Sequence, residues 1–195
     1  MVGWHEESAP ARRLRVALLL TGGRSRRMGT DKARLPREGG AIQAEWLRDA
    51  LERASYRVVE VGPGVSGAAA VADAGFGPHR AIVAALEELD LRPQDLVVVV
   101  PVDLFRASVD ALSWMWRVAL EGPFVVRRAD GPAWDLAGGW VASVDRSATR
   151  LSALWPGARL VTVPSPLEAD LQDADDPRAL AQQLMIERRG RIGSS

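Results

Sequence analysis

Close to its N-terminus the chain carries the sequence Leu20-Thr21-Gly22-Gly23-Arg24-Ser25-Arg26-Arg27-Met28-Gly29-Thr30-Asp31-Lys32, whose first residue ends the apolar run 16–20. The apolar run predicts a buried strand, and the glycines let the backbone that follows approach a ligand with its N–H groups. Lys32 is the only lysine of the chain, although Lys and Arg together number 25. A lysine at this one position, in a chain whose other basic residues are arginines, indicates that the site requires a compact ammonium and not a planar guanidinium. The segment therefore predicts a cradle for a triphosphate; the alternative is an arginine-rich surface loop after a strand.

Composition limits the classes of protein to which the chain can belong. Its 195 residues are 47% hydrophobic and 26% charged, with a formal net charge of zero, which is typical of one globular domain. A general nucleic-acid or membrane-surface binder needs a basic excess, so neither partner is expected. We expect a single domain over residues 12–190, with 1–11 and 191–195 as flexible tails.

The scarcity of sulfur and imidazole ligands restricts the chemistry further. The chain has no cysteine and only two histidines, which excludes disulfides, thiolate catalysis and iron–sulfur clusters. A metal ion would then be a hard cation such as Mg²⁺, held by carboxylates. Because no segment has the composition of a secretory signal or a membrane span, we expect a cytoplasmic protein.

Short apolar runs alternate with amphipathic segments, which predicts an α/β fold with a mostly parallel sheet in layers. The run 96–102 is the most apolar and is expected to be the central strand. Two close strands joined at Asp130-Gly131 predict a short antiparallel excursion. The predicted strands are 14–21, 57–61, 96–102, 123–127, 134–142 and 159–163, and the predicted helices are 41–54, 78–91, 108–120, 145–154 and 177–188.

Two aspartates are candidate metal ligands. Asp103 directly follows the most apolar run, and open α/β sheets bind ligands at the carboxyl ends of their strands. One or two carboxylates with water suffice for Mg²⁺, although a helix N-cap is an alternative role for Asp103. Asp173 precedes Asp175-Asp176-Pro177, a good start for a helix, and is predicted to face the same metal.

Two glycine-rich loops besides the first need separate interpretations. Asp73 and Gly77, in the loop that opens the helix 78–91, are candidates for contact with a sugar or base, with a plain turn as the alternative. Gly62-Pro63-Gly64-Val65-Ser66-Gly67 satisfies the dinucleotide pattern G-x-G-x-x-G, but the chain soon reaches another turn, which leaves no room for the helix that the pattern requires. This segment is interpreted as a loop without a dinucleotide.

The segments 20–23 and 28–32 resemble the signature loop of the molybdenum cofactor guanylyltransferases, which belong to a nucleotidyltransferase superfamily with a three-layer Rossmann-like fold. Weaker landmarks follow in order, at Gly77-Pro78, Asp103, 136–138 and 173–177. The resemblance implies Mg²⁺-dependent transfer of GMP from GTP to the terminal phosphate of a molybdopterin cofactor, with release of pyrophosphate. It also implies contacts with other proteins of cofactor biosynthesis or with molybdoenzymes.

The same resemblance assigns roles to individual residues. Asp103 would hold the metal, and Arg27 and Lys32 would contact the phosphates. The residues that would contact the rest of the nucleotide are Leu20, Thr21, Gly22, Gly23 and Asp73.

The chain departs from the pattern of this family at several positions. His79-Arg80-Ala81 stands where the family has Leu-Ala-Gly, Phe105 replaces a proline and Thr21 replaces a common alanine. CTP or another phosphorylated acceptor therefore remains an alternative, as does a catalytically degenerate homologue that carries nucleotide or cofactor. A nicotinamide-dependent oxidoreductase built on 62–67 is a more distant alternative.

Overall fold

One twisted sheet organises the part of the chain that the structure, a computed structural model, describes: residues 13–22, 31–37, 39–73 and 75–173. Within these ranges the strands are β1 (Arg15–Leu20), β2 (Arg57–Val61), β3 (Ala69–Val71), β4 (Leu96–Pro101), β5 (Phe124–Arg128), β6 (Gly131–Trp140) and β7 (Arg159–Thr162). Their order across the sheet is β3-β2-β1-β4-β6-β5-β7. Strand β6 runs antiparallel to β4 and β5, and every other pairing is parallel. The expected α/β fold with a short antiparallel excursion is confirmed.

Helices cover both faces of this sheet. They are α1 (Gln43–Arg53), α2 (Pro78–Glu88), α3 (Val109–Leu120) and the single turn α4 (Ser165–Glu168), with 3-10 turns at Lys32–Arg34, Val141–Ser143, Leu151–Ala153 and Ala169–Leu171. Side chains alternate along β1, so that Ala17 and Leu19 pack with α1 and α3 while Val16 and Leu18 pack with α2. The result is a three-layer arrangement. No helix in the described ranges has the length and apolar character needed to cross a membrane.

Strand β4 lies in the middle of the sheet, as its composition predicts. All six of its residues are buried, because neighbouring strands and helices cover it on every side. Its register with β1 pairs Leu20 with Pro101, so both strands end at the same edge. That edge carries the candidate site.

Two elements differ from the prediction. The predicted helix 145–154 is wrong: the segment forms turns and the 3-10 turn Leu151–Ala153. The Asp145 carboxylate accepts hydrogen bonds from the N–H and hydroxyl of Ser147, at 2.9 and 2.6 Å, and this local alternative competes with the helix. The sequence pattern does not predict strand β3, since a three-residue edge strand is too short for a periodic signal. The predicted helix 177–188 lies outside the described residues.

Candidate active site

A cavity of about 510 Å³ opens at the carboxyl ends of β1 and β4. Because β6 is antiparallel, its first residues come to the same edge and close another side of the cavity. The charged residues in its wall are Asp31, Lys32, Asp103, Arg128, Asp130, Asp135 and Asp173. Leu20, Thr21 and Gly22 form the wall at the end of β1. The cavity thus collects residues that are distant in sequence at the edge where α/β sheets bind ligands.

Lys32 and Asp103 form an ion pair in this cavity. Their Nζ and Oδ2 atoms are 2.8 Å apart, and the two side chains are only 11% and 15% exposed. Lys32 begins a 3-10 turn whose N-cap is Asp31, which accepts a hydrogen bond from the N–H of Ala33 at 3.0 Å. Asp103 follows β4 by two residues. The turn capped by Asp31 therefore positions the ammonium of Lys32, and the end of β4 positions the carboxylate of Asp103 opposite it.

The second oxygen of Asp103 gives the best indication of a cation site. Oδ1 is buried and has no hydrogen-bond partner among the residues described. A buried carboxylate oxygen without a donor is costly unless a cation or donor binds it, so the residue present fits Mg²⁺. Within the described ranges no group of three or more acidic or histidine side chains is clustered closely enough to hold a metal. One or two carboxylates with water meet the requirement of Mg²⁺.

Asp173 lies in the wall of the same cavity, where it forms an ion pair with Arg128 at the end of β5. The structure thus brings Asp173 and Asp103 to one cavity, as the metal prediction requires, but gives Asp173 a cationic partner. The Nε and Nη2 atoms of Arg128 are buried and donate to no partner within the part of the chain that is described. Sequence reasoning missed Arg128, because a pair of arginines at a strand end has no distinctive pattern.

Thr21 is fixed by a buried carboxylate on the neighbouring strand. Its hydroxyl donates a hydrogen bond to Oε1 of Glu60 at 2.5 Å, and the N–H groups of Thr21 and Gly22 both donate to the carbonyl of Val61 at 3.2 Å. A Cβ on Gly62 would lie 2.2 Å from the Thr21 hydroxyl, so the residues Thr21 and Gly22 pack directly against a glycine. These contacts hold the start of the glycine-rich loop against β2.

Glu60 also explains the glycine-rich segment 62–67. The N–H groups of Gly64, Val65 and Ser66 donate to its carboxylate at 2.8, 2.9 and 2.7 Å, and the hydroxyl of Ser66 donates at 2.6 Å. Burial raises the pKa of Glu60, but hydrogen bonds from Ser66 and Thr21 outweigh it and bring this pKa below its ordinary value. The donors that a pyrophosphate would need are engaged by an internal anion, which agrees with a loop that binds no dinucleotide.

The remaining predicted nucleotide contacts lie around this cavity. Asp73 accepts a hydrogen bond from the N–H of Gly75 at 2.8 Å, and a Cβ on Gly22 would lie 2.9 Å from its Oδ2. Asp73 itself lines a second cavity of about 420 Å³. Gly77 is the N-cap of α2 with a φ of +95°, and the next residue, Pro78, reaches the first cavity. Asp73 and Gly77 are therefore neighbours of the cavity wall, not part of it.

Three further positions of the predicted site and family pattern lie outside the cavity wall or outside the described residues. Gly23 and Arg27 lie outside the described residues. Phe105, which replaces a proline of the related family, is 1% exposed and belongs to the core. Phe105 does not line the cavity.

Comparison with known proteins identifies the class that this fold and cavity define. The family model for the MobA-like NTP transferase domain matches residues 17–174, and the chain belongs to this family. The match includes Lys32, Asp103 and Asp173. No curated protein matches the chain significantly.

Solved structures share the fold at low sequence identity. Molybdopterin-guanine dinucleotide biosynthesis protein A from Archaeoglobus fulgidus is 20% identical, with a TM-score of 0.62 over 90% of this chain and 100% of that one. Rv0371c from Mycobacterium tuberculosis H37Rv is also 20% identical, with a TM-score of 0.60 over the same shares. A 4-diphosphocytidyl-2C-methyl-D-erythritol synthase is 14% identical, with a TM-score of 0.60 over 91% of this chain and 100% of that one. At these identities the likeness establishes the nucleotidyltransferase fold.

Proposed function

We propose that the protein is a Mg²⁺-dependent guanylyltransferase that transfers GMP from GTP to the terminal phosphate of molybdenum-molybdopterin and releases pyrophosphate. The observation that carries this proposal is the ion pair between Lys32 and Asp103 in an open cavity at the strand ends. Family membership supports the reaction class. The choice of GTP and of molybdopterin rests on the resemblance of the loop 20–32, and it agrees with the name of the relative from Archaeoglobus fulgidus.

In this proposal each residue predicted from the sequence has one task. Leu20, Thr21, Gly22 and Gly23 contact the guanine and ribose, with Asp73 and Gly77 beside them. Lys32 and Arg27 bind the phosphates. Asp103 would hold Mg²⁺ with its orphaned Oδ1, and Asp173 would join it by exchanging the contact with Arg128. When bound, Mg²⁺ neutralises charge on the triphosphate.

The reaction requires positioning and charge neutralisation more than proton transfer. A phosphate oxygen of the acceptor attacks the α-phosphorus of GTP, and the bond from that phosphorus to the oxygen that bridges to the β-phosphorus breaks. The electron pair leaves with pyrophosphate, next to the ammonium of Lys32. The acceptor phosphate is already ionised near neutral pH, so the residues of the cavity need to supply no general base.

Thermal stabilisation by GTP, CTP, ATP and UTP, each with and without Mg²⁺, tests the proposal first. A ligand at about 100 times its Kd adds roughly 2.7 kcal/mol of stability, and we expect GTP with Mg²⁺ to give the largest shift. A preference for CTP would be consistent with a nucleotidyltransferase but would contradict the proposed transfer of GMP. No response to any nucleotide would contradict the function altogether.

Turnover with molybdopterin, followed by release of pyrophosphate, then separates an enzyme from a carrier. Lys32→Ala is expected to lower kcat/KM by about 10²- to 10³-fold, since it removes a preorganised charge from the transition state. Arg53→Ala is the matched control, because it also removes one cation but from the far end of α1. Nucleotide binding without turnover, with Lys32→Ala changing affinity only, would indicate a degenerate homologue.

A further inference from the structure

We propose that Gln43 is a positioning residue that aligns Lys32 with Asp103; the inference rests on the proposed function of that ion pair. Gln43 is the first residue of α1, and its side chain is completely buried. It does not line the cavity. Gln43 lies between the segment that carries Lys32 and the segment that carries Asp103, and it forms hydrogen bonds with both.

The side chain of Gln43 holds the turn that carries Asp103. Its Nε2 atom donates hydrogen bonds to the carbonyls of Val102 and Leu104, at 2.8 and 3.1 Å. These residues stand immediately before and after Asp103. Because an amide NH₂ group has two donors, both are used, and the backbone is held on each side of the carboxylate.

The main chain of Gln43 holds the other half of the pair. Its N–H donates to the carbonyl of Leu35 at 2.8 Å, and the N–H of Leu35 donates to the carbonyl of Lys32 at 3.3 Å. An isolated bridge between Pro36 and Ile42 joins the same segments. One residue is thus bonded to both turns, 71 residues apart in sequence, whose side chains form the ion pair.

A glutamine at this buried position is less favourable for the stability of the fold than an apolar side chain that only packs would be. The other buried residues of α1 are apolar: Ala44, Leu47, Ala50 and Leu51. Burial of an amide is unfavourable unless it is hydrogen-bonded, and the Oε1 atom of Gln43 has no partner among the residues that the structure describes. A buried amide with one orphaned acceptor is consistent with a residue retained for the two bonds that flank Asp103.

Gln43→Met tests this inference because it keeps the length of the side chain and removes both donors. Tyr56→Phe is a matched control: its hydroxyl is a buried donor to the carbonyl of Leu112 at 2.9 Å, remote from the cavity wall. We expect both variants to lower Tm. Only Gln43→Met should change the environment of Lys32.

The readout uses the fact that Lys32 is the only lysine of the chain. Its modification by an amine-reactive reagent at fixed pH, in the absence of any ligand, is followed by mass spectrometry of the peptides. We expect labelling to be about two- to tenfold faster in Gln43→Met than in the wild type, the range that corresponds to the loss of a net hydrogen bond. Tyr56→Phe should label at the rate of the wild type.

A second readout is the affinity for Mn²⁺ alone, measured by electron paramagnetic resonance. Gln43→Met is expected to raise the Kd by about tenfold, as changes of residues that orient metal ligands commonly do. Labelling and Mn²⁺ binding unchanged in Gln43→Met, with a Tm lowered as in Tyr56→Phe, would overturn the inference. If Gln43→Met does not fold, Gln43→His, which retains a donor for only one carbonyl, should be labelled at Lys32 faster than the wild type, and a wild-type rate would overturn the inference equally.

The labelling experiment needs neither nucleotide nor metal. If the wild-type protein bound neither, the proposed function would fail, while the labelling rates would still decide whether Gln43 aligns the pair.

Discussion

Glu60 is the buried charge on which the start of the glycine-rich loop depends. It is completely buried, and hydrogen bonds from Thr21, Gly64, Val65 and Ser66 surround its carboxylate. Thr21, where the related family commonly has alanine, adds a hydroxyl donor to this set. The departure from the family pattern at Thr21 is therefore explained by a contact inside the protein.

We expect Glu60→Gln to make the stability of the protein less sensitive to a fall in pH. The pKa of Glu60 is lower in the folded protein than its ordinary value of 4.5, so the ionised form stabilises the fold above that pH. This contribution is lost as the pH falls through the folded pKa. Between about pH 6 and about pH 3.5 the Tm of Glu60→Gln should fall less than that of the wild type, although it starts lower.

Thermal unfolding followed by circular dichroism gives the Tm of Glu60→Gln and of the wild type at each pH. Glu121→Gln is the control. Glu121 is 68% exposed at its side chain and pairs with Arg159 at the surface, so its substitution should leave the acid dependence almost unchanged. Equal slopes for Glu60→Gln and the wild type would contradict this interpretation.

At the scale of elements, the antiparallel strand β6 decides the shape of the cavity. It lies between β4 and β5, and its first residues close one side of the site. Its close approach to β4 depends on Gly138, where a Cβ would lie 2.6 Å from the carbonyl oxygen of Val97 and 3.0 Å from the Cα of Val98. The remaining close atom, Cγ1 of Val98 at 2.8 Å, belongs to a buried β-branched side chain with little freedom to move aside.

We therefore expect Gly138→Ala to lower the free energy of unfolding by about 1–3 kcal/mol, the usual cost of overpacking. Gly157→Ala is the comparison, because nothing lies within 4 Å of its Cβ position and its φ of +70° is near the left-handed helical region. That variant should lose about 1 kcal/mol, the lower end of the cost of an L residue in this region. Urea denaturation measures both, and a smaller loss for Gly138→Ala than for Gly157→Ala would contradict the steric argument.

At the scale of the molecule, two apolar clusters lie on opposite faces of one sheet. Strand β1 contributes alternate residues to both clusters. Trp46, Trp114, Trp116 and Trp140 pack against the cluster on the side of α1 and α3, whereas Trp155 belongs to the cluster on the side of α2 and Trp134 packs against it. The tryptophans therefore report on both faces.

A single cooperative unit over residues 12–190 remains a prediction, and thermal unfolding tests it. We expect tryptophan fluorescence and far-ultraviolet circular dichroism to give coincident transitions, because the sheet couples the two clusters. Two separated transitions would contradict a single domain. Addition of GTP with Mg²⁺ should raise both midpoints together.

The sequence by itself determined the fold class, most of the elements and the position of Asp103 after the central strand. These follow from local signals: the period of apolar residues reflects which face an element buries, and a carboxylate after a parallel strand lies at a known edge. The same local signals failed at 145–154, where the hydrogen bonds of Asp145 to Ser147 replace a helix.

Only the tertiary structure decided which side chains meet. Lys32 pairs with Asp103 across 71 residues, Arg128 with Asp173 across 45, and Gln43 reaches Val102 across 59. No local pattern encodes such partners, because they depend on how strands and helices from distant parts of the chain pack around one sheet. The pairing of β6 with β5 follows from the turn at Asp130-Gly131, but its placement beside β4 likewise depends on how the whole sheet packs.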